Sequence, residues 1–344
     1  MSEPSPTPAR RGRLLRFGGA VVVLLALAGY LTVQYLTGGP GIPRCTVVSG
    51  QSDDESYDFT PEQAVNAATI SAVGTNRGMP ERAVAIALAT AIQESGLRNI
   101  RHGDRDSLGL FQQRPSQGWG TTAEIMDPTY AADIFYEHLA KVDDYARLPL
   151  TVAAQRVQRS AFPDAYAKHE PDATLLAAAL TGRSAATLTC QGPADATVTG
   201  GADSVRAALV RDFGRGVLAE TGAAVGDADA PASPTAAATA SPSTAATGSA
   251  SASPPSTTAS RTVTLPVSAV SATGGADGTT VGERGWELAH WAVANSASLH
   301  IERVSYAGRE WRAESADSEW SPSDTSAGSD AKASTEEVRI VTGQ

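Results

Sequence analysis

Apolar and polar positions fall along this chain in distinct regimes. From Phe17 to Tyr35 the residues are uncharged and, apart from Thr32 and Gln34, largely apolar, a run of about 19 that would span ~29 Å as a helix, the thickness of a hydrocarbon core. Between residues 45 and 190 apolar positions recur at helical spacing. Thr60-Pro61-Glu62-Gln63 reads as a capping box with Pro at the first helical position, and it predicts a helix through Ala72. Pro80 opens a second helix, Glu81 to Ser95, which Gly96 can stop. Asp127-Pro128 caps a third, running to about Lys141 with Ile134, Phe135 and Leu139 as its apolar side. A fourth starts near Leu150 and breaks before Pro163, and a fifth covers Pro171 to Leu180. No stretch of this block alternates with period two, so the pattern predicts a mainly α domain. Asp203 to Leu218 reads as a short amphipathic helix with Val205, Leu209 and Phe213 on one face.

The pattern then stops. From Ala230 to Ser260 every residue is Ala, Ser, Thr, Pro or Gly, which cannot form a core. Beyond it, Arg261 to Leu265 alternates like a strand, and Glu283 to Leu299 is helical with Trp286, Ala289, Val293 and Ala297 on one face. Ile301 to Arg312 reads as a hairpin turning at Ala307-Gly308, and Glu337 to Val341 as a last strand. The expected organisation is a cytoplasmic tail (1–16), a single transmembrane helix (17–37), a mainly α domain (45–190), a helical extension (191–222), a disordered linker (223–260) and a small α/β C-terminal domain (261–344). The α block and its extension, 45–220, are expected to fold without the tail.

Charge orients this arrangement. Arg10, Arg11, Arg13 and Arg16 precede the apolar run, which places the N-terminus in the cytoplasm and the bulk of the chain outside the cell membrane. The run is longer than the core of a cleaved signal peptide and no A-x-A site follows it; Arg44 directly before Cys45 argues against a lipoprotein. A net charge of −10 speaks against nucleic-acid binding. In an exported chain the two cysteines, Cys45 and Cys190, can pair rather than remain free thiols. The bridge would close a loop worth about 5 kcal/mol of chain entropy.

The densest chemistry lies in Ala83 to Trp119. Residues Ala83 to Ile92 are apolar on every face, which predicts a buried helix ending in Gln93-Glu94-Ser95-Gly96. Apolar surroundings and the negative end of the helix dipole both oppose charge on Glu94 and keep a proton on it. A general acid acting on a glycosidic oxygen has that requirement. Next come Gly103-Asp104-Arg105 and Gly109-Leu110-Phe111-Gln112. With Glu94-Ser95, these segments resemble the lysozyme-like superfamily, specifically soluble lytic transglycosylases and goose-type lysozymes, and most of all membrane-anchored actinobacterial proteins that carry a small C-terminal module. The resemblance covers roughly residues 58 to 190.

The resemblance implies that Glu94 is the acid and then the base, that Ser95 orients it or the substrate, and that Gly109, Leu110, Phe111 and Gln112 line a sugar groove. Transglycosylases use a Tyr-Asn pair in a later helix; here Gln155 stands in the corresponding stretch, Ala154 to Gln158, with Tyr166 further on. A lytic transglycosylase needs one carboxyl group, whereas an inverting hydrolase needs a second to activate water, for which Asp104 is the candidate, with Asp106 behind it. Trp119, Tyr130, Tyr136 and Tyr145 are candidates for stacking on sugars. Arg98, Arg101, Arg105 and Arg114 could hold peptide carboxylates, although scattered arginines are more often solvated surface. No histidines fall at metal-ligand spacing, and neither metal nor other cofactor is expected. The expected function is a membrane-anchored glycosidase cleaving the MurNAc-GlcNAc bond of peptidoglycan glycan strands. The alternative is a non-catalytic wall-binding or scaffold protein, with cell-wall or division proteins engaged through the tail domain.

Overall fold

The computed structural model describes residues 43–51, 55–160, 162, 164–192, 200–220, 261–267, 279–313, 319–323 and 336–343. Helix α1 (Pro61–Asn76) begins at the capping box: Thr60 Oγ1 accepts from the Gln63 N–H, and Gln63 Oε1 accepts from the Thr60 N–H. Helix α2 (Glu81–Ser95) is buried from Ala83 to Ile92. Its alternating alanines leave room for neighbours on several sides, and the one buried hydroxyl, Thr90, donates back to the Ile86 carbonyl at 2.7 Å. A single capped turn, α3 (Thr122–Ile125), leads into α4 (Pro128–Ala140), started by Asp127. Then come α5 (Leu150–Gln158) and α6 (Glu170–Leu180). Helices α1, α4, α5 and α6 all pack against α2.

Three short strands close the helical part: β1 (Arg44–Val48), β2 (Ser56–Phe59) and β3 (Leu188–Gln191), antiparallel in the order β2-β1-β3. Cys45 lies opposite Cys190 in the β1/β3 register and the two form the disulfide expected from the sequence. Helices α7 (Ala202–Phe213) and α8 (Gly216–Glu220) follow. The C-terminal region adds β4 (Thr262–Pro266), α9 (Val281–Ala294), α10 (Ser296–Leu299), β5 (Ile301–Tyr306), β6 (Arg309–Arg312), β7 (Ser321–Pro322) and β8 (Glu337–Thr342). Its strands form one antiparallel sheet, β4-β8-β5-β6-β7.

Helix α9 joins the two halves. It lies against β5 and β8 on one side and against α1, α6 and β3 on the other, so every residue from Arg284 to Ala294 is buried. Two of its polar side chains, His290 and Trp291, are matched across that contact, while Arg284 pairs with Glu287 within the helix and Glu287 Oε1 is buried without a hydrogen-bond partner among the described residues. The His290 Nδ1–H donates to the Ala179 carbonyl at 2.7 Å, and Nε2 accepts from the Thr187 N–H at 3.3 Å. A carbonyl only accepts and an amide only donates, which fixes the neutral tautomer with its proton on Nδ1. Trp291 Nε1–H donates to Asp212 Oδ2 at 2.8 Å, and that carboxylate, fully buried on α7, also takes Thr69 Oγ1–H and the Arg211 guanidinium. Trp320 Nε1–H donates to the Leu188 carbonyl at 2.9 Å.

The expected fold class, a transmembrane helix, a mainly α domain and a separate small α/β domain, is corrected. The described residues hold ten α-helices and two antiparallel sheets, and from Arg44 onward they form one compact unit. Two features hid this. Strands β1 to β3 have four or five residues each, too few for an alternating pattern to register. And the polar face of α9, with Arg284, Glu287 and His290, looks solvated when read alone, although its partners lie more than a hundred residues earlier for His290. Among the described residues no helix is long and apolar enough to cross a membrane. The span expected at 17–37 and most of the linker expected at 223–260 lie outside the described residues.

Candidate functional site

The site is built on the C-terminal end of α2. Gly96 ends the helix in the left-handed conformation (φ 63°), and the Gly96 and Leu97 N–H groups close back on the Ile92 and Ala91 carbonyls. Helix α1 holds the carbonyls just beyond: Gln63 Nε2 donates to Gly96 O and Asn66 Nδ2 to Leu97 O, both at 2.8 Å. The turn that carries Glu94 is therefore anchored from behind.

Glu94 itself is half-buried. Burial raises its pKa above the ordinary carboxylic value, opposed by hydrogen bonds from Tyr166 and Gln158 that favour the ionised form. The Tyr166 hydroxyl donates to Glu94 Oε1 at 2.7 Å. Tyr166 is fully buried, and its phenol is held far above its usual range by that burial and by the neighbouring carboxyl, so it serves as a donor. Gln158, at the end of α5, also donates through Nε2 to the Phe111 carbonyl at 2.7 Å, which ties the acid to the second motif. One turn beyond Tyr166, His169 Nε2 lies 3.1 Å from Gln93 Oε1. The segment 166–169 thus grips two consecutive residues of the α2 end.

The second motif folds against the first. Ser95 Oγ donates to the Leu110 carbonyl at 2.7 Å and accepts from the Arg98 N–H at 3.2 Å, so it joins the helix end to both following loops. Gly109 has φ 75°, and a Cβ there would stand 2.7 Å from the Ile125 carbonyl, so the position needs glycine. Leu110 and Phe111 are fully buried, Phe111 stacked on Phe135 at 4.6 Å, so only their backbone can border a groove. Gln112 is half-buried and donates to Gly109 O at 3.2 Å.

The other expected residues lie as follows. The Asp104 side chain is 93% exposed, with Arg105 at 3.9 Å. Asp106 accepts from Arg114 Nε at 2.8 Å and from the Ser116 N–H at 2.9 Å, bonds that hold its carboxyl well below the usual range. Gln155 Nε2 donates to Ser160 O at 2.8 Å, away from Glu94, while its Oε1 is buried without a protein partner. Tyr136 is a core residue donating to Ile70 O, and Trp119 stacks on His138 at 4.2 Å. Gln158 is the residue the sequence reading passed over. It lies in register with Leu150 and Ala154 at four-residue spacing, both buried in α5, and that periodicity was its only signal. Among the described residues no group of three His, Cys, Asp or Glu side chains could hold a metal ion.

The arrangement can hold a protonated carboxyl at the end of α2 and stabilise it when ionised. No family model and no curated protein sequence matches the chain.

Proposed function

We propose that the protein is an extracytoplasmic glycosidase acting on the MurNAc-GlcNAc bond of peptidoglycan, with Glu94 as its acid and base. The observation that carries this reading is the half-buried Glu94 carboxyl, raised in pKa by burial and held by the Tyr166 hydroxyl. Glu94 gives its proton to the glycosidic oxygen as the C1–O bond breaks. The resulting carboxylate is stabilised by the Tyr166 and Gln158 donors, and it then takes the proton of the attacking hydroxyl. Glu94 is the half-buried carboxyl at the helix end, whereas Asp104 is 93% exposed. One embedded carboxyl suits lytic transglycosylation, in which the sugar's own hydroxyl attacks C1 and leaves an anhydro end.

Mass spectrometry of fragments released from purified sacculi tests the proposal. The wild type is expected to release anhydro-ended fragments, and Glu94→Gln to lose about 10²–10⁴-fold in rate, the usual worth of a positioned acid or base. Reducing ends would mean hydrolysis, with Asp104→Asn then expected to cripple the enzyme. Sacculus binding without release would support the wall-binding scaffold instead, and full activity in Glu94→Gln would remove the assignment.

A further inference from the structure

A small cavity lies at the C-terminal end of α1. Its volume is about 100 Å³, and its walls include Thr75 and Asn76 from α1, Phe213 from α7, Val217 from α8, and Arg284 and Glu287 from α9. Gln63 and Asn66, which hold the turn that carries Glu94, are at the other end of α1. Asn66 and Asn76 are roughly 15 Å apart along the helix axis, so the cavity is separate from the Glu94 site. Glu287 is 2% exposed. Its Oε2 accepts from Arg284 Nη1 at 2.8 Å, while Oε1 is buried without a hydrogen-bond partner among the described residues. The guanidinium carbon of Arg284 is 4.9 Å from the centre of the Phe213 ring. A buried ion pair offsets its desolvation only when its remaining lone pairs are also met, and on Glu287 they are not.

The α1 side of the cavity also offers acceptors. Thr75 Oγ1 spends its proton on the Ala72 carbonyl at 3.1 Å, so toward any other group it accepts. The Asn76 amide adds a carbonyl oxygen, and its side chain is exposed, which gives the cavity an edge in solvent. The last turn of α1 carries no basic side chain, so nothing on the helix itself offsets the negative end of its dipole. We infer that this cavity binds the ammonium group of a primary amine. Its three N–H donors match Glu287 Oε1, Thr75 Oγ1 and Asn76 Oδ1, and its first methylenes lie against Val217. An anion would meet a carboxylate and a helix C-terminus, and an alcohol brings a single donor. Size sets the same limit: a cavity of about 150 Å³ takes benzene, so this smaller one takes the ammonium and the carbons next to it. A free amine and an amine at the end of a longer chain share this chemistry.

Titration of the full chain with propylammonium, followed by NMR at the Thr75 and Val217 methyl groups, tests the assignment. Saturable shifts at both methyls are expected, with a Kd of about 1 mM, which is within reach of so small a ligand. The neutral 1-propanol, of the same length, should bind about tenfold more weakly, the worth of a hydrogen bond to a charged group. Thr75→Val keeps the shape of the wall and removes one acceptor, and it should weaken propylammonium by a similar factor. Glu287→Gln should weaken it at least as much. If that variant fails to fold because Arg284 loses its partner, the propanol comparison and Thr75→Val decide. N-acetyl-lysine methylamide carries the same ammonium on a longer chain. Tighter binding of it than of propylammonium assigns the cavity to a chain-borne amine, and the reverse order to a free one. No saturable shift with either amine, equal binding of propanol, or unchanged affinity in Thr75→Val would each overturn the inference.

Discussion

His290 should make the fold acid-sensitive in a defined window. The imidazole is fully buried between α9, α6 and the segment before β3, and burial pushes its pKa from the ordinary 6.5 down to about 4. The bond to the Ala179 carbonyl opposes that fall without reversing it. Between pH 6.5 and 4 the unfolded chain takes up a proton that the folded protein refuses. Stability from this residue is therefore fully present above pH 6.5, is lost as pH falls through the window, and levels off below about pH 4. Each pH unit of the gap is worth ~1.4 kcal/mol, so the whole loss is about 3 kcal/mol. In a fold of this size that is ~6–12 °C in melting temperature. The comparison is His290→Gln, whose amide can still donate to Ala179 O and accept from the Thr187 N–H but does not titrate. Its absolute stability is set by packing against Trp286 and Trp320; its pH dependence is the test. Calorimetric melts of both proteins from pH 7.5 to 3.5 should show the wild type losing ~6–12 °C more than the variant on acidification. Contributions from His138, His169 and the carboxyls cancel in that difference. A gap that stays constant across pH, or widens in favour of the wild type in acid, would refute the reasoning.

Two other perturbations test different links. Tyr166→Phe removes the donor on Glu94 Oε1, so the Glu94 carboxyl should hold its proton to still higher pH. The basic limb of the pH–rate profile should move up by about one to two units, the worth of a hydrogen bond to a charged group, and a limb that moves down would contradict the arrangement. Replacing Cys45 and Cys190 together by Ser releases the bridge over a sequence separation of 145. The chain-entropy limit of about 5 kcal/mol predicts a fall of well over 5 °C in melting temperature, and a variant that melts with the wild type would show that the bridge adds nothing to stability.

The helices were legible because their ends carry chemistry. Thr60 with Gln63, Asp127 before Pro128, and Gly96 after Ser95 each mark a boundary through a local hydrogen bond or a backbone conformation, and the structure uses all three. The C-terminal hairpin and last strand were legible for the same local reason. What was hidden was non-local. Strand β3 becomes a strand because β1 pairs with it across the disulfide, and nothing within Leu188–Gln191 announces that partner. Helix α9 reads as amphipathic because its matching groups, Ala179 O, the Thr187 N–H and Asp212, belong to other elements.

At the site the same division separates Glu94 from the groups that support it. An unbroken apolar run ending in Gln93-Glu94-Ser95-Gly96 announces a carboxyl at a buried helix end, since helix, burial and cap are all local. The donors that stabilise its ionised form come from α5 and the turn after it, where the resemblance implies a Tyr-Asn pair in one helix and the sequence offers the stretch Ala154 to Gln158, with Tyr166 further on. The structure supplies the two donors from separate places: Gln158, one turn later on the same helix, and Tyr166, beyond it. Position in a motif did not specify the role; reach did. Gln155 spends its amide on Ser160 at the helix end, whereas Gln158 continues the buried Leu150–Ala154 line toward α2. Ser95 illustrates the converse. Its hydroxyl bonds Leu110 O and the Arg98 N–H, so the serine after Glu94 fixes the two loops around the acid. A constraint of that kind ties together residues fifteen apart, and it accounts for a Glu-Ser pair followed at that distance by a Gly-Leu-Phe-Gln turn better than sugar contact by the serine would.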